Sequence, residues 1–356
     1  MLEKPNFQNG AKSTRVWCDG CYDLVHFGHA NSLRQAKALG DHLVVGIHTD
    51  EEVTKHKGPP VFTFEERCKM ISAIKWVDEV VEGSPYVTDL EILNEHACDF
   101  CCHGDDITLT DAGEDTYHKI KEAGRYREVQ RTPGISTTGL VDRILAVAEK
   151  TNRKELAKSP WTGSSKFLLT AGKIVQFSQG RPPKEGDVVV YVVGAFDLFH
   201  VGHLYFLEKA RELGNYLIVG LYSDQVINRY KGDNHPIMTL HERLLSLLAC
   251  KYVSEVVIDA PMAVTKDLME WFKIDVVAGG RFGVEDGADS DDPYKYPKEV
   301  RKFVEINSGS DVTTEKIIER IVKNKLEYME RNEKKEKKEL DLINEMEKKQ
   351  EWKQTS

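Results

Sequence analysis

Apolar, β-branched runs alternate with helix-period segments along the first 150 or so residues of the chain. The pattern predicts strands near 15–19, 42–48, 77–81, 99–102 and 127–130. Between them it predicts helices over 29–39 (closed by Gly40), 65–75, 88–96, 115–123 and 137–149. Strands that are apolar throughout and separated by helices indicate a parallel sheet covered on both faces. The expected fold is therefore α/β, Rossmann-like and doubly wound. Such sheets bind ligands outside the carboxyl ends of their strands, which is where residue 26 falls.

The pattern occurs twice. Trp17-Cys18-Asp19-Gly20-Cys21-Tyr22-Asp23-Leu24-Val25-His26 returns 174 residues later as Tyr191-Val192-Val193-Gly194-Ala195-Phe196-Asp197-Leu198-Phe199-His200. At the same offset Leu43-Val44-Val45-Gly46 matches Leu217-Ile218-Val219-Gly220, and Lys57-Gly58 matches Lys231-Gly232. The offset then becomes 176, pairing Glu66-Arg67 with Glu242-Arg243 and Val77–Val81 with Val253–Val257. A self-similar period of this length implies tandem domains of one fold. The expected organisation is a first domain at 14–149, a linker at 150–187, a second domain at 188–322 and a charged segment at 323–356. Turn signals at Lys158-Ser159-Pro160, Gly163-Ser164-Ser165 and Gly180-Arg181-Pro182-Pro183 mark the linker, whose centre, Trp161 to Leu169, is apolar enough to pack on a domain. The Lys/Glu-dense end reads as a solvated helix or tail; Leu340, Ile343 and Met346 are too few for a lipid-binding face.

Composition narrows the class. With 356 residues, 40% hydrophobic and 30% charged, the chain exceeds one usual core. No run approaches the ~18 apolar residues of a membrane span. The opening MLEKPNFQNGAKSTR lacks an apolar signal region, so the expected setting is cytoplasmic, with membrane contact at most peripheral. A formal charge of -9 argues against broad nucleic-acid binding yet allows a local basic pocket. Cys18-x-x-Cys21 and Cys98-x-x-Cys101 have the spacing of zinc knuckles. Their counterparts are Val192, Ala195, Ile274 and Val277, which predicts small buried hydrophobes and no metal held by the protein.

The chemistry gathers at His26-Phe27-Gly28-His29 and His200-Val201-Gly202-His203. Histidines at i and i+3 of a helix start could bond one phosphate chain, the glycine letting the backbone approach and the helix dipole adding partial positive charge. A lone histidine is more often structural; a pair duplicated with its Asp-Leu-x-His lead-in points to function. A second candidate is Arg131-Thr132-Pro133-Gly134-Ile135-Ser136-Thr137-Thr138, which joins an arginine fork to hydroxyl donors and a glycine turn. Ser136 or Thr137 could equally cap the following helix, and both readings can hold. A phosphomonoester is already an anion, so its attack on the α-phosphate of a nucleoside triphosphate needs positioning and charge neutralisation, with no general base.

These two motifs resemble the nucleotidyltransferase superfamily with the His-x-Gly-His signature, and within it the cytidylyltransferases, whose second signature reads Arg-Thr-Glu-Gly-Ile-Ser-Thr. Pro133 replaces that glutamate here. The duplication, Pro59-Pro60-Val61-Phe62-Thr63, Asp106-Ile107-Thr108-Leu109-Thr110 and Pro160-Trp161-Thr162-Gly163 extend the resemblance over about residues 15–335, toward members acting on phosphoethanolamine. The resemblance implies that His26 and His29 hold the triphosphate and stabilise the transition state, and that Lys57 bridges the α-phosphate and the incoming phosphomonoester. Arg131 and Thr132 would bind the β and γ phosphates, supported by Ser136, Thr137 and Thr138. Gly20, His103 and Asp106 would lie on the nucleotide side, and Arg67 falls at a family arginine with a partly structural role. Mg²⁺ would arrive with CTP.

For the amino alcohol the resemblance points to Asp19, Tyr86 and Tyr117. A carboxylate beside aromatic faces suits an alkylammonium, whether ethanolamine or choline, although each tyrosine could simply be packing. The second copy keeps His200, His203, Lys231, Thr313 and Thr314 as the remains of a nucleotide site. It has Val193 for Asp19, Met262 for Tyr86 and Arg281-Phe282 for Asp105-Asp106; at an offset of 176 it has Asn307 for Arg131 and Val312 for Ser136. Catalysis is expected in the first domain, with the second binding nucleotide weakly, regulating or stabilising. A homodimer is compatible with this picture. An adenylyltransferase would share the histidines without the Arg-Thr-x-Gly-Ile-Ser-Thr run. A dinucleotide-binding dehydrogenase would need G-x-G-x-x-G after the first strand. A catalytically dead nucleotide-sensing scaffold is the alternative from a different class.

Overall fold

A computed structural model describes residues 13–105, 115–148, 170–178, 180–232, 235–280 and 292–334, together with Thr110 and Lys337. In the first half, strands β1 (Arg15–Gly20), β2 (His42–Ile47), β3 (Glu79–Glu82), β4 (Phe100–Gly104) and β5 (Tyr126–Val129) alternate with six helices. These are α1 (Phe27–Lys37), α2 (Asp50–Lys57), α3 (Phe64–Ser72), α4 (Leu90–Glu95), α5 (His118–Glu122) and α6 (Thr137–Ala148). The strand order is β3-β2-β1-β4-β5, every pairing parallel. Alternate residues of the central strands serve opposite faces: Val16, Cys18 and Val45 join one apolar cluster, Trp17, Val44 and Cys101 the other. The chain reverses direction of winding at β1, placing the crevice at that strand's carboxyl end.

Helix α7 (Thr170–Phe177) precedes a second half with β6 (Val189–Gly194), α8 (Val201–Glu212), β7 (Tyr216–Leu221), α9 (Asp224–Lys231) and α10 (Leu240–Ala249). It continues with β8 (Glu255–Ile258), α11 (Lys266–Trp271), β9 (Val276–Gly280), α12 (Lys295–Glu299), β10 (Phe303–Ile306) and α13 (Thr314–Lys323). Its sheet, β10-β9-β6-β7-β8, repeats the first. Helix α2 has no counterpart among the sequence-based expectations. Its stretch, DEEVTKHK, buries only Val53 and so carries no apolar stripe; Thr49 starts it by accepting from the Glu52 N–H.

The halves are joined by contacts that nearly repeat on exchange. The Lys75 N–H donates to the Ala249 carbonyl (3.0 Å) and the Lys251 N–H to that of Ala73 (2.9 Å). Arg143 pairs with Glu242 (2.8 Å) and Arg320 with Glu66 (2.7 Å). Both glutamates also complete capping boxes, with Thr63 on α3 and Thr239 on α10. One apolar cluster runs from Val16 through Phe177 to Tyr328, so the halves share a core. The cysteines Cys18, Cys68, Cys98, Cys101, Cys102 and Cys250 are buried and unbridged.

Two expectations need correction. After a turn at Asn324, residues 325–334 are helical, and Tyr328 and Asn332 are buried. The first part of the charged end therefore belongs to the packed structure; its Lys/Glu density hid the few side chains that face inward. The second correction concerns register: α5 against α12, β5 against β10 and the Arg143/Arg320 pair all give an offset of 177. Thus Ser308, not Asn307, answers to Arg131, and Thr313, not Val312, to Ser136. Thr314 answers to Thr137, and Glu315 to Thr138.

Candidate active site

At the end of β1 the chain turns through Tyr22 (φ 51°) and Leu24 (φ 45°), both left-handed, and enters α1 at His26. The His26 Nδ1 accepts the Gly28 N–H (3.1 Å), and the His29 Nδ1 accepts the His26 N–H (3.3 Å). The two rings stack with centroids 3.9 Å apart. A backbone donor can bond only an unprotonated nitrogen, so in the neutral rings both protons sit on Nε2. The pair thereby offers two N–H donors at a helix N-terminus, where anions are favoured. Gly28 has no room for a side chain: an added Cβ would lie 2.8 Å from Ile135 and 2.9 Å from the His26 ring.

The Arg131 to Thr138 segment converges on the same turn. Thr137 Oγ1 donates to the Asp23 carbonyl (2.9 Å), Asn31 Nδ2 donates to Thr132 Oγ1 (2.8 Å), and the Arg131 N–H donates to Asp105 (2.9 Å). Ser136 Oγ accepts the Gly139 N–H (3.0 Å), so the hydroxyl run caps α6 as well as facing α1.

Asp19, 4% exposed, accepts from Trp17 Nε1 (2.9 Å) and Tyr117 Oη (2.7 Å), and from Thr88 Oγ1. A carboxylate offers about four lone-pair sites, which leaves one. The His103 ring lies 4.7 Å from that of Tyr117. Tyr86 stacks on His56 (4.0 Å), stands 5.2 Å from His48, and has the Lys57 ammonium 5.9 Å from its centroid. Burial pushes the pKa of His48 down, and its Nδ1 lies 3.1 Å from the Ser84 carbonyl. Since a carbonyl only accepts, that nitrogen carries the proton and Nε2 remains an acceptor. Gly20 packs against the Tyr22 ring, which lies 3.2 Å from where a Cβ would stand. Arg67 is fully buried and structural, donating to the carbonyls of Cys21 (2.6 Å) and His48 (2.8 Å) and to Asp50 (2.7 Å). Asp106 lies outside the described residues, as do Trp161 to Leu169.

Sequence reasoning missed Thr88, His48 and His56. The available signal was the difference between the copies: these positions are Val264, Tyr222 and Tyr230 in the second half.

The second site has the same backbone. Phe196 and Leu198 repeat the left-handed turn (φ 48° and 47°), and the His200 Nδ1 accepts the Gly202 N–H (3.1 Å). Its surroundings differ. Val193, Tyr222, Val264 and Tyr191 form a buried apolar cluster, with Met262, Tyr230 and Tyr294 packed against it. The His203 Nδ1 is buried without a partner among the described residues. Burial, with Lys231 nearby, pushes the pKa of His203 down to about 3; burial and His203 hold that of His200 well below the usual range. Lys231 is paired with Glu315 (2.6 Å), which stands in the place of Thr138.

The sequence profile of the family described as Cytidylyltransferase-like matches residues 17–143 and 191–320. The ethanolamine-phosphate cytidylyltransferase of Mus musculus is 54% identical over 92% of this chain and 91% of its own length. The Arabidopsis thaliana ethanolamine-phosphate cytidylyltransferase is 43% identical over 91% of this chain and 84% of its own. From the same plant, choline-phosphate cytidylyltransferase 2 is 40% identical over 38% of this chain and 45% of its own.

Proposed function

This chain belongs to the cytidylyltransferase-like family, and from that premise we propose that it transfers the cytidylyl group of CTP to phosphoethanolamine, releasing pyrophosphate and CDP-ethanolamine for phospholipid synthesis. The likeness to ethanolamine-phosphate enzymes spans both halves, whereas the likeness to the choline-phosphate enzyme covers only 38% of the chain. The observation that carries the reading within the site is the stacked His26 and His29 pair with both Nδ1 atoms taken by backbone N–H groups.

A phosphate oxygen of phosphoethanolamine attacks the α-phosphorus of CTP, and the bond to the bridging oxygen breaks toward pyrophosphate. No proton need leave the nucleophile. The Nε2–H groups of His26 and His29 neutralise charge as it moves onto the leaving oxygens, which preorganised donors do without rearranging. Lys57 neutralises the approaching phosphates, and Arg131 with Thr132, Ser136, Thr137 and Thr138 holds the outer ones. Gly20, His103 and Asp106 belong to the nucleotide side. Asp19, bonded to Tyr117, keeps one acceptor site for the substrate ammonium, and Tyr86 supplies a further aromatic face. A primary ammonium has N–H groups to give to Asp19, and a quaternary one has none, which favours ethanolamine over choline. Mg²⁺ would enter with the CTP substrate and neutralise charge on its phosphates. The partners are these small molecules, and the charge of -9 disfavours nucleic acid. No helix of the described residues is long and apolar enough to cross a membrane.

Incubation with labelled CTP, Mg²⁺ and either phosphoethanolamine or phosphocholine tests the reading. Pyrophosphate should form with the former and far less with the latter. Preference for phosphocholine would overturn the substrate, and no pyrophosphate with either would leave only a nucleotide-binding scaffold.

A further inference from the structure

Helix α2 ends at Lys57, and the loop to α3 runs from Gly58 through Pro59, Pro60 and Val61 to the Thr63 cap. It lies outside any sheet or helix, so its carbonyls need donors from elsewhere. Three successive carbonyls find them on the far half of the chain. Arg331 Nη1 donates to Pro59 (2.9 Å), Tyr328 Oη to Pro60 (3.2 Å) and Arg320 Nη1 to Val61 (3.4 Å).

From the other side, the N–H groups of Val61 (3.0 Å) and Phe62 (2.9 Å) donate to Asp23, in the lead-in to His26. Arg331 Nη1 is 3.5 Å from that same carboxylate, so one guanidinium touches both the loop and the turn that carries the histidines. The stem of Arg331 covers Gly58, where an added Cβ would lie 3.1 Å from its Cγ. Its guanidinium lies 4.9 Å from the Tyr328 ring centroid, and Asn332 Nδ2 fastens the helix to Asp142 of α6 (2.8 Å). The Arg320 contact has a counterpart, Arg143 Nη1 to the Ile237 carbonyl (3.5 Å).

We propose that Arg331, backed by Tyr328, is a positioning residue for cytidylyl transfer in the first half. It holds the Gly58–Val61 loop against the Asp23 turn, so that Lys57 is presented to the transferring phosphate at a fixed distance from His26 and His29. The proposal rests on the reading of Lys57 as a phosphate ligand. It gives the second half a role in catalysis that needs no chemistry of its own: the segment that braces the loop of the first site follows its last helix.

The test uses the full chain with Arg331→Ala, Arg331→Lys, Tyr328→Phe and Lys57→Ala, steady-state kinetics in each substrate, and thermal unfolding. Misplacement of a reacting group by about 1 Å costs on the order of 100-fold in rate. Arg331→Ala is therefore expected to lower kcat by about 10- to 100-fold and raise KM for phosphoethanolamine, while KM for CTP stays nearly unchanged. Arg331→Lys, which keeps one donor for the Pro59 carbonyl, should recover part of kcat, and Tyr328→Phe should show the same pattern more weakly. Wild-type kcat and KM in Arg331→Ala would overturn the proposal. So would a loss that disappears once rates are referred to the folded fraction. An inactive Lys57→Ala beside a normal Arg331→Ala would leave the Lys57 reading standing and sink only the positioning role; a fully active Lys57→Ala would sink both.

Discussion

The two halves share strand order, a left-handed turn before the first helix and a stacked histidine pair, yet one crevice has a polar lining and the other a largely apolar one. Asp19, Thr88, His48 and His56 in the first stand against Val193, Val264, Tyr222 and Tyr230 in the second. A buried carboxylate is costly unless donors meet it, and Asp19 has three. Removing it lets the same walls fill with apolar side chains at no desolvation cost. The comparison teaches that the backbone cradle is set by packing, while chemistry depends on a few polar residues that packing does not require.

The contrast can be broken most severely at the histidines. His26→Ala should cut kcat/KM by about 100- to 1,000-fold, the usual cost of one preorganised donor, whereas His203→Ala should have little effect. If His203→Ala abolished turnover while folding and CTP binding at the first site persisted, the assignment of catalysis to the first half alone would fail. Next comes the ammonium pocket. Asp19→Ala should lower kcat/KM for phosphoethanolamine by about 10- to 100-fold, since hydrogen bonds to charged groups contribute about 1.5–3 kcal/mol. CTP affinity should survive, and an equal loss for both substrates would place Asp19 elsewhere.

A smaller effect is expected at the second site. Calorimetric titration of wild type with CTP should show one site per chain. Glu315→Thr, which releases Lys231 and restores the hydroxyl found at Thr138, should add a second, weak event. Its absence would show that the apolar lining, rather than the ion pair, keeps nucleotide out. Smallest is a pH effect on stability. His203 titrates at about 3 in the folded chain against an ordinary 6.5, so the unfolded chain binds the extra proton between those values. That contribution is complete above about pH 6.5 and is lost as pH falls toward 3. Urea unfolding at pH 7 and pH 5 should show a smaller difference for His203→Leu than for wild type; equal differences would mean that His203 is not the group responsible.

Much of this was legible in the residues. Continuous apolar strands between helices, repeated at a long offset, are enough to predict two parallel sheets. The histidine phrase led to the crevice, because a helix start and its preceding strand are local features. Helix α2 escaped notice because one buried valine makes no stripe. The register beyond β9 was misplaced by one residue because Arg281 to Asp291, a polar stretch outside the described residues, offers no hydrophobic period to align. Strand pairing settles it: Phe303 sits beside Val277, as Tyr126 sits beside Cys101.

The sequence alone therefore determined the fold class, the duplication and, as far as β9, the register that sets one copy against the other, all of which follow from short-range periodicity and side-chain chemistry. Only the tertiary structure decided that Asp19 shares its oxygens with Trp17, Thr88 and Tyr117, that the halves exchange ion pairs through Glu66 and Glu242, and that Arg331 reaches Pro59 across 272 positions of chain. Such contacts are set by how two packed layers meet. Nothing in the local order of residues encodes which distant donor will face a given carbonyl.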